Sequence, residues 1–153
     1  MKFDRFMAID FGEKRIGLAI GDSENLIASP LDTILNKNME ISCEKIYKLA
    51  KEWEINHIVI GLPRIFAEQS INKQIKNFGN KLKKKFDGTD IIFFDEDYSS
   101  NYAKSELLKQ MQAGRKKKVN KEEIDRIAAA IILQSYFENE IFKRADTGTS
   151  SKN

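Results

Sequence analysis

Three acidic residues stand where apolar segments of this chain end or pack, and carboxylates in such places can hold a metal ion or move a proton. Asp10 ends the first apolar run, Glu96 follows a later and very apolar one, and Asp125 lies in the last segment with helical periodicity. Small apolar residues follow Asp125 at helical spacing, so its carboxylate should lie close to a sheet. A charge in that setting is costly without a partner, and a divalent cation shared by the three acids would be one.

Each acid also has an ordinary structural explanation. Asp10 could hydrogen-bond the turn that follows it, Glu96 could be solvated beyond the end of its strand, and Asp125 could pair with a lysine or with Arg126. Taken separately, the three are weak signals. Taken together, acids on elements far apart in sequence, beside a cationic segment, favour Mg²⁺ or Mn²⁺ acting on a phosphodiester.

The composition limits the alternatives. The chain has 153 residues, of which 41% are hydrophobic and 32% charged, as in a single soluble globular domain. One cysteine, Cys43, and one histidine exclude a Cys/His zinc cluster and argue against Ser-His-Asp and Cys-His triads. No apolar run approaches the roughly 20 residues that span a bilayer, and no signal peptide is visible. We therefore expect a cytoplasmic protein without a membrane partner.

Positive charge is concentrated in two segments. Residues 73–85 hold six lysines and no acid, and residues 104–121 hold seven basic residues and one acid. Each segment carries a net +6, so the rest of this +3 chain carries a net −9. Such a distribution is typical of a protein that binds polyanions. For residues 73–85 a solvated helix face is an equal alternative, whereas the four adjacent cations of residues 115–118 favour phosphate contact.

Hydrophobic periodicity predicts an α/β fold with a mixed sheet. Strands are predicted at residues 6–9, 16–22, about 26–35, 57–60 and 90–94, with Pro30 marking the third as an edge or a bend. Helices are predicted over residues 43–53 and 71–86, from Ser99 or Ser100 to Gly114, and from Asn120 onward. We expect one domain over residues 1–142, followed by a disordered C-terminal tail, residues 143–153.

Four ordered motifs resemble the bacterial YqgF (RuvX) family over residues 6–142. They are AIDFGEKRIGLA at 8–19, IVIGLP at 58–63, DE at 95–96 with SS at 99–100, and IDRIAAAIILQ at 124–134. The resemblance implies a ribonuclease-H-like fold, with a mixed five-stranded sheet and helices on both faces, related to the Holliday-junction resolvase RuvC. It also implies a nuclease role in maturing the 5′ end of pre-16S ribosomal RNA. The family's acidic triad falls on Asp10, Glu96 and Asp125.

Two departures from the family pattern lie near the proposed site. Asp97 stands where the family usually has arginine, which either adds a metal ligand or weakens phosphate binding. The loop after Pro63 reads RIFAE at residues 64–68, where the family normally has a polar loop similar to Asn-Met-Asp-Gly, and Arg64 could supply a cation. A fourth acid, if one is needed, would be Asp97 or Glu122.

The sequence thus predicts a Mg²⁺- or Mn²⁺-dependent nuclease that acts on structured RNA, as a monomer or a weak dimer. The catalytic, metal-binding residues are Asp10, Glu96 and Asp125. The predicted phosphate contacts are Lys14, Arg15, Arg64, Arg115, Lys116, Lys117 and Lys118. Such contacts give affinity without sequence preference and make binding steeply salt-dependent. Tyr98 and Tyr102 could stack on bases, although ordinary packing is favoured for both.

Two alternatives remain, and length argues against a third. A resolvase acting on branched DNA would share the acids and would normally act as a dimer. A nucleic-acid-binding factor without cleavage would keep the salt dependence and lose nothing when Asp10 becomes Asn. The third is an actin-like ATPase, which the length disfavours because such proteins need two domains of this kind.

Overall fold

The computed structural model describes residues 3–63, 69–96 and 120–142. Five strands and three α-helices run in the following order, and a π-helical turn, Phe137–Phe142, closes the described chain. They are β1 (Arg5–Asp10), β2 (Arg15–Asp22), β3 (Ser29–Leu35), α1 (Met39–Glu52), β4 (His57–Pro63), α2 (Gln69–Lys85), β5 (Asp90–Glu96) and α3 (Lys121–Tyr136).

Several predictions of the sequence analysis lie outside the described residues. They concern Arg64, Asp97, the helix from Ser99 or Ser100 to Gly114 with Tyr98 and Tyr102, the cations Arg115, Lys116, Lys117 and Lys118, and the tail 143–153. These remain predictions.

The five strands form one mixed sheet, as predicted, and their order is β3-β2-β1-β4-β5. The pairs β1–β2 and β2–β3 are antiparallel, whereas β1–β4 and β4–β5 are parallel. The last residues of β1, β4 and β5 therefore lie at one edge, called here the carboxyl edge, formed by Asp10, Pro63 and Glu96. The first residues of the same strands form the opposite, amino edge.

Helices cover both faces of the sheet, because side chains alternate along each strand. Met7 and Ile9 of β1 point toward α1 and α2, where they join one buried cluster with Ile46 and Phe78. Phe6 and Ala8 point to the other face and pack against α3. No helix in the described ranges is long and apolar enough to cross a membrane.

The third strand begins later than predicted, at Ser29 rather than near Leu26. Leu26 has a left-handed backbone (φ 55°) that cannot continue a strand. Its carbonyl accepts a hydrogen bond from the Gln134 side-chain amide (3.2 Å), whose Oε1 accepts from the N–H of Ala28 (2.9 Å). The interpretation of Pro30 as an edge residue is confirmed, since β3 is the outermost strand and its register shifts beside Pro30.

The fourth and fifth strands are longer than predicted. β4 continues through Gly61 to Pro63 and β5 continues to Glu96, because the two strands pair along their whole length and end with the pair Pro63–Glu96. The backbone of Glu96 is therefore part of the sheet and does not lie beyond it. The beginning of α3 is confirmed: the side chain of Asn120 caps the helix by accepting from the N–H of Glu123 (2.8 Å).

The thiol of Cys43 is enclosed between α1 and α2, with only 2% of the residue exposed. Burial raises the pKa of Cys43 from 9.0 to about 11, and the nearby Glu40 carboxylate acts in the same direction. Because the thiolate is the reactive form, we expect alkylation by iodoacetamide at pH 8 to be about a hundredfold slower in the folded than in the unfolded protein. Mass spectrometry of both forms measures this, and equal rates would contradict the enclosure.

The same shift affects stability. Below pH 9 the thiol is protonated in both states, so its favourable burial is fully present. As the pH rises from 9 toward 11, the unfolded chain releases the proton and the folded chain retains it, so this contribution is lost.

Candidate active site

Asp10 reaches the carboxyl edge through the geometry of the β1–β2 hairpin. It is the last residue of β1 and pairs across the hairpin with Gly17 of β2, which places their Cα atoms roughly 5 Å apart. Asp10 follows Phe6 and Ala8 at a spacing of two residues, so its side chain lies on the sheet face that α3 covers. It is partly exposed there.

Asp125 is brought to the same place by close contact between α3 and β2. A Cβ atom on Gly17 would overlap the carbonyl oxygen of Asp125. Only glycine therefore permits this helix–strand distance, and the next α3-facing position of β2 is also small, Ala19. The backbone of Asp125 thus lies on the residue that pairs with Asp10, and the two predicted acids share one corner of the molecule.

The carboxylate of Asp125 is bound by Arg15, the first residue of β2. The Arg15 Nε donates to Asp125 Oδ2 at 2.7 Å, a short charge-assisted hydrogen bond between side chains that are 27% and 20% exposed. The structural partner that the sequence predicts for Asp125 is a lysine or Arg126, and Arg15 is predicted to contact phosphate. Arg126 instead donates to the carbonyl of Glu122 (3.3 Å) within its own helix.

Glu96 lies on the same edge, two strands from Asp10. Strands are about 4.8 Å apart, so the backbones of β1 and β5 are separated by roughly 10 Å. The register places Glu96 two residues beyond the level of Asp10, since Ile9 is level with Ile60, and Ile60 with Phe93. The edge therefore carries all three predicted acids, with the side chain of Glu96 outside the described part of the structure.

The donor chemistry of this corner fits a hard divalent cation. Carboxylate oxygens are the ligands that Mg²⁺ and Mn²⁺ prefer, and Asp10 and Asp125 supply them from two rigid elements. Among the described side chains no three acids already converge as a metal cluster. In this arrangement the Asp125 carboxylate is instead engaged by Arg15.

A part-buried polar network holds the hairpin turn that follows Asp10. Asn36, just after β3, donates from Nδ2 to the carbonyl of Gly12 (2.8 Å) and from its N–H to the carbonyl of Lys14 (2.8 Å). Its Oδ1 accepts from the hydroxyl of Ser42, a fully buried residue of α1 (2.7 Å). Asn36 thus ties the turn to β3 and α1 at once.

Replacing Asn36 with Ala should therefore reduce both stability and cleavage. The loss of its side-chain bonds leaves the Ser42 hydroxyl and the Gly12 carbonyl unpaired, at an expected cost of about 1–2 kcal/mol. The matched control is Asn38→Ala, which removes the α1 cap bond to the N–H of Ile41 at about 1 kcal/mol. Thermal unfolding should fall in both variants, whereas the cleavage rate should fall only in Asn36→Ala. Equal cleavage rates in the two variants would show that the Asn36 network does not position the active site.

Of the predicted phosphate contacts, the structure describes only Lys14 and Arg15. Lys14 lies in the hairpin turn and is exposed.

The lysine-rich segment 73–85 forms most of α2, where some of its charge has partners within the protein. Lys81 pairs with Glu40 (3.1 Å) and Lys85 with Glu44 (2.6 Å), both of α1. The hydrogen bond from Lys85 lowers the pKa of Glu44, and Lys83 lies over the ring of Phe93. These three lysines therefore have contacts within the protein.

The lone histidine lies at the amino edge, far from the acids. His57 begins β4, stacks on Phe6 with ring centroids 4.7 Å apart, and hydrogen-bonds Asp90 (3.1 Å). A cavity of about 530 Å³ also opens at this edge, lined among others by Phe3 and Glu54. Neither feature contacts the carboxyl edge.

Comparison with known proteins agrees with this architecture. The family model described as "RuvX: Holliday junction resolvase" matches residues 4–139. A protein of Nitrosospira multiformis named "Putative pre-16S rRNA nuclease" is 41% identical over 135 residues, covering 86% of each chain. A protein of Fusobacterium nucleatum with the same name is 36% identical over 139 residues, covering 88% of this chain and 96% of the other.

Among solved structures, Thermus thermophilus RuvC in complex with a Holliday junction has the same fold. Its TM-score is 0.61 at 12% identity, with 90% of this chain and 96% of that chain covered. This likeness confirms the RuvC-like ribonuclease H fold that the resemblance implied. With the family model and both relatives spanning most of its length, this chain belongs to the RuvX family.

Proposed function

We propose that this protein is a divalent-metal-dependent nuclease that hydrolyses phosphodiester bonds of precursor 16S ribosomal RNA at its 5′ end. One observation carries the proposal: the hairpin and α3 bring Asp10 and Asp125 to one corner of the carboxyl edge. Membership of the RuvX family, and the name its relatives carry, support the substrate.

Asp10 and Asp125, with Glu96, would hold Mg²⁺ or Mn²⁺, the cofactor that this donor set fits. When bound, such a cation supplies activation of water and stabilisation of the leaving oxygen. The protein's own part is to fix the two carboxylates. Asp10 is fixed by strand pairing, and Asp125 by the contact of its backbone with Gly17.

The cations beside the acids would position the substrate. Lys14 is exposed in the hairpin turn, four residues after Asp10, where a phosphate flanking the scissile bond can reach it. Arg64 and the loop Arg115–Lys118 are proposed to extend this contact. Lysine and arginine bind phosphate without reading sequence, so recognition would depend on the shape of the RNA.

A second candidate is resolution of branched DNA. It is favoured by the fold, since the structural relative RuvC was solved on a Holliday junction. A junction has two-fold symmetry and normally needs a dimer, whereas RNA processing needs only one chain. A chain that acts as a monomer or a weak dimer, as we propose, would therefore be suited to RNA.

The test compares cleavage of two substrates of matched length, each with Mg²⁺ or Mn²⁺. One is a precursor fragment that carries the 5′ end of 16S rRNA, and the other is a four-way DNA junction. We expect the RNA to be cut at a defined position and the junction to be cut more slowly. Preferential cutting of the junction would favour the resolvase. Tight binding of both with cutting of neither would indicate a non-catalytic binding factor.

A further inference from the structure

Arg15 and Asp125 form a short side-chain ion pair at the carboxyl edge. The bond joins the first residue of β2 to α3 across 110 positions in sequence, at 2.7 Å. Both side chains are largely sheltered, at 27% and 20% exposure. A charge-assisted bond in such a setting is stronger than a surface ion pair.

This contact conflicts with a simple metal site. A guanidinium bound to one oxygen of Asp125 keeps a full positive charge beside that carboxylate, and Arg15 remains charged at any working pH. A divalent cation on the same carboxylate would be repelled by it. Metal and guanidinium are therefore rivals for Asp125.

The guanidinium also has a second use at this position. Arg15 directly follows the exposed Lys14, at the corner where a phosphate of the substrate would lie. Its planar donor fork matches a phosphate as well as a carboxylate. Once released from Asp125, it needs only a change of side-chain rotamer to change partner.

We propose that Arg15 is an exchangeable counterion of Asp125, which binds the carboxylate until a divalent cation takes its place and then binds a phosphate of the nucleic acid. The inference rests on the proposed function and adds an order of events to it. Metal binding and substrate binding would be coupled through Arg15. A metal ion on Asp125 would free Arg15 for a phosphate, and a phosphate on Arg15 would free Asp125 for the metal ion.

Mn²⁺ affinity tests the first half. In full-length protein, Arg15→Gln should lower the Mn²⁺ dissociation constant about tenfold by isothermal titration, since it removes one charge-assisted competitor. The matched control is Arg126→Gln, which makes the same change in charge at the residue beside Asp125, where the guanidinium bonds a backbone carbonyl. It should alter the constant by less than about twofold.

The outcomes separate the two proposals. If wild type and Asp10→Asn bind Mn²⁺ equally, the acids are not its site, and the proposed function falls together with this inference. If Asp10→Asn weakens binding but Arg15→Gln does not tighten it beyond Arg126→Gln, only the exchange is wrong. Weaker binding in Arg15→Gln would mean that Arg15 orients Asp125 for the metal instead.

Because Arg15→Gln could also loosen α3, a measurement on the wild-type protein gives an independent test. The ¹⁵N-labelled Nε–H resonance of Arg15 should shift when Mg²⁺ is added, while that of Arg126 should not. An unchanged Arg15 resonance in a protein saturated with Mg²⁺ would overturn the exchange.

Binding of a short single-stranded RNA, followed by fluorescence anisotropy, tests the second half. We expect Arg15→Gln to weaken binding at least about fivefold in Ca²⁺ but less than about twofold in EDTA, because in EDTA the wild-type guanidinium is still held by Asp125. Equal losses in the two conditions would show that Arg15 contacts phosphate regardless of the metal, and would overturn the exchange.

Discussion

Replacing Asp10 with Asn is expected to lower metal-dependent cleavage at least about a hundredfold while leaving the fold intact. The change removes one of the acidic side chains placed at the carboxyl edge and keeps its shape, and Asp10 is only partly buried, so we expect the fold to be retained. A charged oxygen ligand contributes several kcal/mol through the cation it holds, and each 1.4 kcal/mol is about tenfold in rate. Single-turnover cleavage of an RNA substrate measures the loss.

The chain offers a matched control for this substitution in Asp95→Asn. Asp95 lies near the same edge, at the end of β5, and is exposed. The Asp95→Asn variant should cleave RNA at a rate within about twofold of the wild-type rate, since Asp95 lies outside the proposed triad. The Asp125→Asn variant should lose as much activity as Asp10→Asn. If Asp95→Asn and Asp10→Asn lose the same activity, the effect is one of general charge and the assigned site is wrong.

Replacing Gly17 with Ala is expected to destabilise the protein by at least about 3 kcal/mol and to abolish cleavage. The new Cβ would overlap the backbone carbonyl of Asp125, and backbone cannot rotate away as a side-chain tip can. α3 must therefore move off the sheet, at the upper end of the usual cost of overpacking. For a domain of this size the melting temperature should fall by roughly 6 to 12 °C.

Gly88→Ala is the matched control for Gly17→Ala. Gly88 has a left-handed backbone (φ 84°) and open space where a Cβ would stand, so Ala there meets strain but no neighbour. The expected cost is about 1–2 kcal/mol, with cleavage unchanged below the melting temperature. A Gly17→Ala protein that melts no lower than Gly88→Ala would contradict the close approach of α3 to β2.

The fold class and the positions of Asp10 and Asp125 could be predicted from the sequence, because they depend on local patterns. Alternating apolar runs identify strands, and a strand that ends in Asp10 places that residue at an edge whatever the partners are. Likewise Asn120, three residues before Glu123, marks the beginning of α3, so the position of Asp125 on the helix follows by counting.

The extents of β4 and β5 were underestimated for the opposite reason. Gly61 and Pro63 indicate a turn when taken alone, but β5 pairs with β4 as far as Pro63 and keeps it extended. Strand ends set by a neighbouring strand are a tertiary property. The sequence therefore predicts that β5 ends before Glu96, whereas the register places the backbone of Glu96 inside the sheet.

The partner of Asp125 also could not be predicted from the sequence. The sequence predicts a lysine or Arg126 as the partner, whereas Arg15 lies 110 positions away. In the sequence, the preceding basic residue Lys14 is an equally good candidate for this contact. Only the strand register determines which of the two side chains faces α3. The same holds for Gln134, whose amide fixes the turn before β3 from the far end of the chain. A polar residue amid the apolar face of a helix is the signal that could have identified it.

The most direct test of the account is cleavage of a fragment carrying the 5′ end of precursor 16S rRNA by wild-type and Asp10→Asn protein, each with Mg²⁺ and with EDTA. The account predicts a defined product only from wild-type protein with Mg²⁺, and equal RNA affinity for both proteins in EDTA. Cleavage by Asp10→Asn at the wild-type rate, or RNA bound tightly by wild type and left uncut with Mg²⁺, would contradict it.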